Sequence, residues 1–328
     1  MPYKRKSKSE VSRVGRWVRQ SPASGAVVAF VLVLVVMAIF GKGVFLSTNN
    51  LVNIIRQGAV LSIVAIGQTF VILSGGIDLS VAPLVSLGTV VVSACIVHYN
   101  WNLLLACLLA MAVCALLGCL NGVLITLAKI PPIIATLASA MAFQGICLLY
   151  SKGYGINLPQ GHALTEVLGR GKIGGFPLSG VLMLLIYLFF FLILRYTKFG
   201  RVTYGIGGNA EAVRLSGISL SKYSIYIYTL SGLMAGVAGI LLTGRLNCGH
   251  PYNGEGMDLN SIAAVVLGGA SVSGGVGTIG GTLMGVFILT MIENGLKMMN
   301  MNPYLQQMVK GLIIVIAVGF GSLRERKN

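Results

Sequence analysis

Long apolar runs alternate with short polar or glycine-rich segments along almost the whole chain. A helix that crosses the hydrocarbon core of a bilayer needs about 20 mostly apolar residues. On that scale the pattern predicts an all-α, polytopic membrane protein with about ten transmembrane helices. The predicted spans are 24–41, 52–73, 80–98, 103–128, 132–150, 179–196, 223–245, 259–272, 278–297 and 304–322.

Glycine interrupts the apolar pattern once in each half of the chain. The eighth run, "LNSIAAVVLGGASVSGG", is so short that we expect it to cross only part of the membrane. A similar break, "ILSGGIDLSVAPL", lies at 72–84 in the first half. Paired segments of this kind are typical of transporters built from inverted repeats around a central pathway. We therefore expect an inverted repeat.

The composition supports a membrane protein over a soluble one. Mean hydropathy is +0.87, 55% of residues are hydrophobic and 10% are charged, whereas soluble domains carry about 25% charged residues. So few charges cannot cover a soluble fold of this length, and lipid must replace water over most of the surface. We expect one transmembrane domain over 24–322, flanked by basic tails at 1–23 and 323–328.

The formal net charge of +16 indicates orientation rather than nucleic-acid binding. Seven of the 24 basic residues fall within the first 20, five lie in the central loop between 195 and 222, and three end the chain. Basic clusters that flank apolar spans tend to stay in the cytoplasm. Both termini are therefore predicted to be cytoplasmic, and the long 151–178 segment is predicted to face outward.

Two glycine-rich stretches resemble cofactor sites but lack the context. "TYGIGGNAEAVRLSG" at 203–217 has the G-x-G-x-x-A spacing of a dinucleotide-binding turn. Such a turn needs a preceding strand and an acidic residue about 20 positions later, and an apolar run without an acid follows instead. "GGASVSGGVGTIGG" at 268–281 lacks the G-K-[ST] ending of a phosphate-binding loop. We expect no cofactor in this chain.

Other reactive side chains have structural explanations. Five of the six cysteines fall within apolar spans, where they pack as small apolar residues, while Cys248 lies in a polar loop as a candidate exposed thiol. Glu293 and Lys297 are four residues apart and are expected to pair. The histidines lie in or beside outward loops, and no nucleophile or carboxylate motif is present. We expect no catalytic residue and no metal site.

The central loop contains a short predicted helix. Asn209 is a good N-cap, residues 210–215 favour helix, and Ser216–Gly217 form a stop signal. Glu211 and Arg214 are spaced to pair with each other or with a partner. Two turns are too few for a stable isolated helix. The segment is either a solvated loop or a docking helix that packs against another protein.

Polar residues within the apolar runs are candidates for the transport pathway, because such residues usually face a cavity or each other. Asp78 is also suited to capping the third helix, beside Ser80. Asn121, beside Gly122, is equally suited to bridging two helices by a hydrogen bond. The full set of candidates is Gln68, Ser74, Asp78, Asn121, Asn260 and Ser261.

Over roughly residues 45–320 the chain resembles the sugar-importing ABC permeases of the ribose, galactose and xylose type. The resemblance is carried by "GGNAEAVRLSGI", "GGIDLSV", "LNGVLI", "SIAAVVLGG" and "SGGVGTIGGTLMG". It implies a bacterial inner-membrane protein that associates with an ABC ATPase subunit, which holds ATP and Mg, and with a periplasmic sugar-binding protein. It also implies a second permease copy, identical or a sister, in the membrane lipid.

In that family the "GGN" loop couples the permease to its ATPase. By resemblance, the coupling residues are Gly207, Gly208, Asn209, Glu211, Ala212, Arg214, Leu215, Ser216 and Gly217. We interpret the glycines as shaping a docking turn. The chain departs from the family pattern at Asn260, where a second carboxylate is usual, and at Ala82, where glycine is usual. Both departures fall near the expected pathway.

The resemblance implies that energy comes from the partner ATPase. Its closure on ATP would move the docking helix and the spans, and the sugar would cross inward. The main rival is an ion-coupled secondary transporter, which normally needs buried titratable groups. Only Asp78 and Glu293 qualify, both near span ends. A channel-like or structural membrane protein is a weaker third interpretation.

Overall fold

The structure is a computed structural model that describes residues 24–41, 43–312 and 315. Helices dominate it, as predicted. They are α1 (Ser24–Phe40), α2 (Thr48–Leu73), α3 (Val81–Val97), α4 (Leu103–Thr126), α5 (Pro132–Ser151), α6 (Leu178–Tyr196), α7 (Lys198–Leu215), α8 (Leu220–Leu246), α9 (Met257–Leu267) and α10 (Ile279–Met298). Residues 303–312 are also helical. The tails predicted at 1–23 and 323–328, and most of the end of the tenth predicted span, lie outside the described residues.

Among the described residues, six helices are long and apolar enough to cross a membrane, namely α2, α4, α5, α6, α8 and α10. This finding confirms the all-α polytopic class, while the count of ten spans and the cytoplasmic termini stay predictions. Helix α9 has 11 residues and is about 16 Å long at 1.5 Å per residue. It is too short to span alone, as the glycines of the eighth run predict.

The predicted eighth span extends five residues too far. It was predicted to end at 272, but α9 ends at Leu267. Gly269 has a φ of +90°, in the left-handed region that ends helices, and its amide donates to the Val266 carbonyl. The residues that follow form a loop up to Thr278, the N-cap of α10.

The segments before α6 and after α8 contain short strands that the sequence pattern did not predict. Strand β1 (Ile156–Asn157) pairs antiparallel with β4 (Cys248–Gly249), and β2 (Lys172–Ile173) pairs with β3 (Phe176–Pro177). Two-residue strands are too short to give a recognisable alternation of polar and apolar residues. The β1–β4 pair ties the long segment before α6 to the segment after α8.

Helix α8 lies at the centre of the fold and packs against α2, α3 and α4. Its contact with α4 is close because glycines face each other: a Cβ at Gly118 would lie 3.0 Å from the Cα of Gly232. Small residues permit this approach in membranes, where hydrophobicity does not drive helices together. Gly118 and Gly232 are therefore part of the packing face between α4 and α8.

The outer faces of α4, α5 and α6 are covered with exposed apolar side chains. Leu116 is 69% exposed, Met141 74% and Leu188 56%. Such a surface would be unfavourable in water at about 25 cal/mol per Å² of apolar area. It is the surface expected of helices that face lipid.

Candidate functional site

Helix α7 consists of two parts joined at a kink. At Asn209 the backbone is extended, with φ −160° and ψ 90°, and the helical pattern resumes beyond it. We call residues 198–208 the arm and residues 210–215 the docking helix. The Asn209 Oδ1 accepts a hydrogen bond of 2.9 Å from the Ala212 amide. At the other end, Gly217 has a φ of +77° and its amide donates to the Arg214 carbonyl. The predicted cap and stop are confirmed.

The arm corrects the interpretation of the glycines before Asn209. Residues 199–208 were predicted to be loop, with Gly207 and Gly208 shaping a docking turn, but these residues are helical. Glycine costs about 1 kcal/mol in a helix, so the sequence favoured a loop. Gly207 packs so closely against the end of α2 and the loop after α9 that only a residue without a side chain fits at this position.

The docking helix presents charged and apolar side chains to the outside. Leu215 is 76% exposed, and Glu211 and Ala212 are exposed beside it. Arg214 donates from Nε to the Glu211 carboxylate at 3.0 Å, which confirms the predicted pair. An exposed pair of this kind adds little to stability. The helix therefore has a largely unpartnered surface.

A groove with a volume of about 420 Å³ lies beside the docking helix. Its walls are apolar and its charges are basic. The lining residues are Lys198, Arg201, Val202, Ala212, Val213, Ser216 and Ile218. Within the described part of the chain, neither Lys198 nor Arg201 forms a salt bridge. The groove is suited to an acidic or partly apolar surface.

Three of the six predicted pathway residues come together in one buried polar network. We define the network as Gln68, Asp78, Ser80, Asn121 and Ser231, each at most 1% exposed. It joins α2, the break between α2 and α3, α4 and α8. Because all five side chains are buried, the network is closed to solvent in this conformation.

Asp78 is the centre of the network. Its Oδ1 accepts hydrogen bonds from the Ser80 amide at 2.9 Å and the Ser80 hydroxyl at 2.6 Å, and its Oδ2 accepts from the Ser231 hydroxyl at 2.8 Å. The N-cap of α3 is Ser80, so the prediction that Asp78 is itself the cap is wrong, and Asp78 lies two residues before it. It nevertheless satisfies the Ser80 amide at the start of that helix.

The two amide side chains complete the network. The Asn121 Nδ2 donates to the Ser80 hydroxyl at 2.7 Å. The side-chain amide of Gln68 bonds the backbone of Asp78. Its nitrogen donates to the Asp78 backbone carbonyl at 3.2 Å, and its oxygen accepts from the Asp78 backbone amide at 3.3 Å. Ser231 was missed in the sequence, although a serine next to Gly232 within an apolar run is itself a signal.

The other three predicted pathway residues do not join this network. The Ser74 hydroxyl donates to the Val71 carbonyl at the end of α2. Ser261 is fully buried in α9, where its hydroxyl donates to the Asp258 carbonyl, and Asn260 is half-buried beside it. A pathway role for the six residues stays a prediction.

Two further side chains were singled out in the sequence, Glu293 and Cys248. Glu293 pairs with Lys297 at 2.6 Å, as expected, and also with Lys310 at 3.0 Å. Cys248 is half-buried in β4 rather than fully exposed, and burial raises the pKa of its thiol. A raised pKa lowers the thiolate fraction, so this cysteine is less reactive than a free thiol.

Comparisons with known proteins agree over most of the chain. Residues 50–318 match a protein-family model described as "Branched-chain amino acid transport system / permease component". The ribose import permease protein of Bacillus subtilis (strain 168) is 42% identical, covering 88% of this chain and 89% of its own. The ribose import permease protein of Escherichia coli (strain K12) is 40% identical over 84% and 86%.

A third relative carries a different sugar in its name. The xylose transport system permease protein of Escherichia coli (strain K12) is 32% identical, covering 91% of this chain and 93% of its own. No solved structure matches the chain.

Proposed function

Because the chain belongs to the permease family of the ribose and xylose transport systems, we propose that it is the membrane subunit of an ATP-driven importer. The cargo is a monosaccharide or a closely related small polyol, delivered by a binding protein. Family membership and the six apolar helices in the described part of the chain make it a multi-pass inner-membrane protein. We assign no catalytic step to its own residues.

The observation that carries this proposal is the capped, exposed docking helix in a chain without a nucleotide motif. A six-residue helix is marginal alone, and 76% exposure of Leu215 provides an apolar anchor for a partner. We propose that this partner is an ABC ATPase subunit with ATP and Mg bound, and that the basic groove beside the helix contacts an acidic part of it. The binding energy then comes from apolar contact and charge complementarity.

The remaining partners follow from the same function. We propose that a periplasmic sugar-binding protein docks on the outward surface, where Glu166, Glu255 and Asp258 lie in or beside the outer loops. Charges on such a rim affect the encounter rate more than the affinity. We further propose that a second permease copy completes the pathway, and that lipid covers the apolar faces of α4 to α6.

One observation favours a second candidate function, ion-coupled secondary transport. Asp78 is completely buried and forms no salt bridge in the described part of the chain. Buried carboxylates without a basic partner are typical of proton relays. Three hydrogen bonds to Asp78 explain its burial without a transported ion, so the importer is the better supported function.

Copurification of an ATPase tests the proposal. The tagged chain is isolated in mild detergent from its native cells, and ATP hydrolysis is assayed for the intact chain and for Glu211→Arg and Arg214→Glu. We expect the intact chain to bring down an ATPase and each variant to lose it. The Glu211–Arg214 pair is exposed, so each of these single charge changes costs the fold little.

Another exposed ion pair provides the matched control. Glu166 and Arg170 pair at 2.8 Å in the segment between α5 and α6. Glu166→Arg therefore makes the same change in charge as Glu211→Arg, but far from the docking helix. This control should retain the ATPase. Equal loss with the control, or no ATPase with the intact chain, would contradict the proposal.

A further inference from the structure

Three backbone segments from distant parts of the chain meet at one point, which we call the glycine junction. They are residues 73–75 at the end of α2, residues 207–208 at the end of the arm, and residues 274–275 in the loop after α9. The Gly275 amide donates to the Leu73 carbonyl at 2.9 Å. A Cβ at Gly207 would overlap that carbonyl and that amide, and would lie 2.9 Å from the Gly274 Cα.

Contacts across the junction are made by backbone, which cannot move aside as a flexible side chain can. A Cβ at Gly274 would lie 2.8 Å from the Gly207 Cα and 2.9 Å from the Gly75 amide nitrogen. Gly274 and Gly275 also have φ values of +90° and +73°, which favour glycine. The Tyr204 hydroxyl adds a hydrogen bond of 2.8 Å to the Gly277 carbonyl. The arm is therefore held directly against both segments.

Each of these segments continues into a broken part of the membrane domain. Beyond Gly75 the chain enters the break that places Asp78 in the buried polar network. Beyond Gly277 the chain reaches Thr278, which caps α10, and Thr282, whose hydroxyl lies 2.9 Å from that of Thr69 in α2. The arm therefore contacts the segments that lead into both breaks.

We propose that the glycine junction transmits motion of the docking helix to the two broken segments, and that Gly207 is the positioning residue for this step. The inference rests on the proposed function, because it requires an ATPase that moves the docking helix. The kink at Asn209 connects the docking helix to the arm, and the junction connects the arm to the pathway. Tight backbone contact makes the connection rigid.

The test uses the complex of intact chain, ATPase and binding protein, reconstituted in proteoliposomes. We measure the uptake of ribose and xylose together with ATP hydrolysis. The quantity compared among variants is the ratio of sugar moved to ATP hydrolysed. For Gly207→Ala we expect the ATPase to remain bound while the ratio falls about tenfold, since small misplacements cause large losses. Gly145→Ala in α5 is the matched control, because Gly145 is also a helical glycine, lies outside the junction and would carry a Cβ that meets nothing within 4 Å, so it should leave the ratio unchanged.

Tyr204→Phe keeps the inference testable if Gly207→Ala does not fold. It removes only the hydroxyl bound to Gly277, and we expect about a threefold fall in the ratio, the effect of one net hydrogen bond. An unchanged ratio with Tyr204→Phe, or an equal loss with Gly145→Ala, would overturn the inference. If the intact chain retains no ATPase or moves no sugar, the proposed function fails and the inference fails with it.

Discussion

Asp78 has a buried carboxylate that links three parts of the fold by hydrogen bonds. Its oxygens accept from the amide and hydroxyl of Ser80 and from the hydroxyl of Ser231. A buried polar group without partners costs several kcal/mol in hydrocarbon, so the network is needed for a carboxylate at this position. We infer that its first role is to hold the break between α2 and α3 against α8.

We expect Asp78→Asn to destabilise the protein. The new amide nitrogen cannot accept the hydrogen bonds that one carboxylate oxygen accepts, which costs about 1–3 kcal/mol. Ser231→Ala should cost less, because it removes one donor. Thermal unfolding in detergent measures both. Ser93→Ala is the control, since the buried Ser93 hydroxyl has no partner among the described residues. Unchanged unfolding of Asp78→Asn with abolished transport would instead favour a direct pathway role.

At the scale of elements, the cap at Asn209 decides whether the docking helix forms. Replacing an Asn cap with Ala costs about 1 kcal/mol, which is large for a helix of six residues. We expect Asn209→Ala to weaken ATPase retention in the copurification assay. Asn209→Asp should restore it, because Asp accepts the same hydrogen bond from the Ala212 amide. Equal weakening by both variants would show that capping is not the reason.

The sequence predicted elements well where periodicity and end signals agree, as at Asn209 and Gly217. It failed at the arm, where glycines lower helix propensity and contact with residues 73–75 outweighs that cost. It also identified Gln68, Asp78 and Asn121 singly but not their association. Those residues come from three separate segments, so only the packing of α2, α4 and α8 reveals the network.

For the whole molecule, the basic clusters predict an orientation in the membrane in which the docking helix lies in the cytoplasm and Cys248 lies outside. We expect a membrane-impermeant maleimide to label Cys248 from outside intact cells. Because burial raises the pKa of this thiol, its thiolate fraction is small at neutral pH, and labelling should speed up as pH rises. Cys248→Ser gives the background. Labelling of Cys248 only in inverted vesicles would reverse the orientation.

The source of energy tests the central claim most directly. Uptake of ribose and xylose is measured in vesicles from cells that express the full complex, with an uncoupler that collapses ion gradients while ATP is maintained, and again with the gradient intact and ATP depleted. A permease driven by a partner ATPase predicts uptake in the first condition and none in the second. Uptake that follows the gradient and ignores ATP would contradict the importer and favour an ion-coupled carrier.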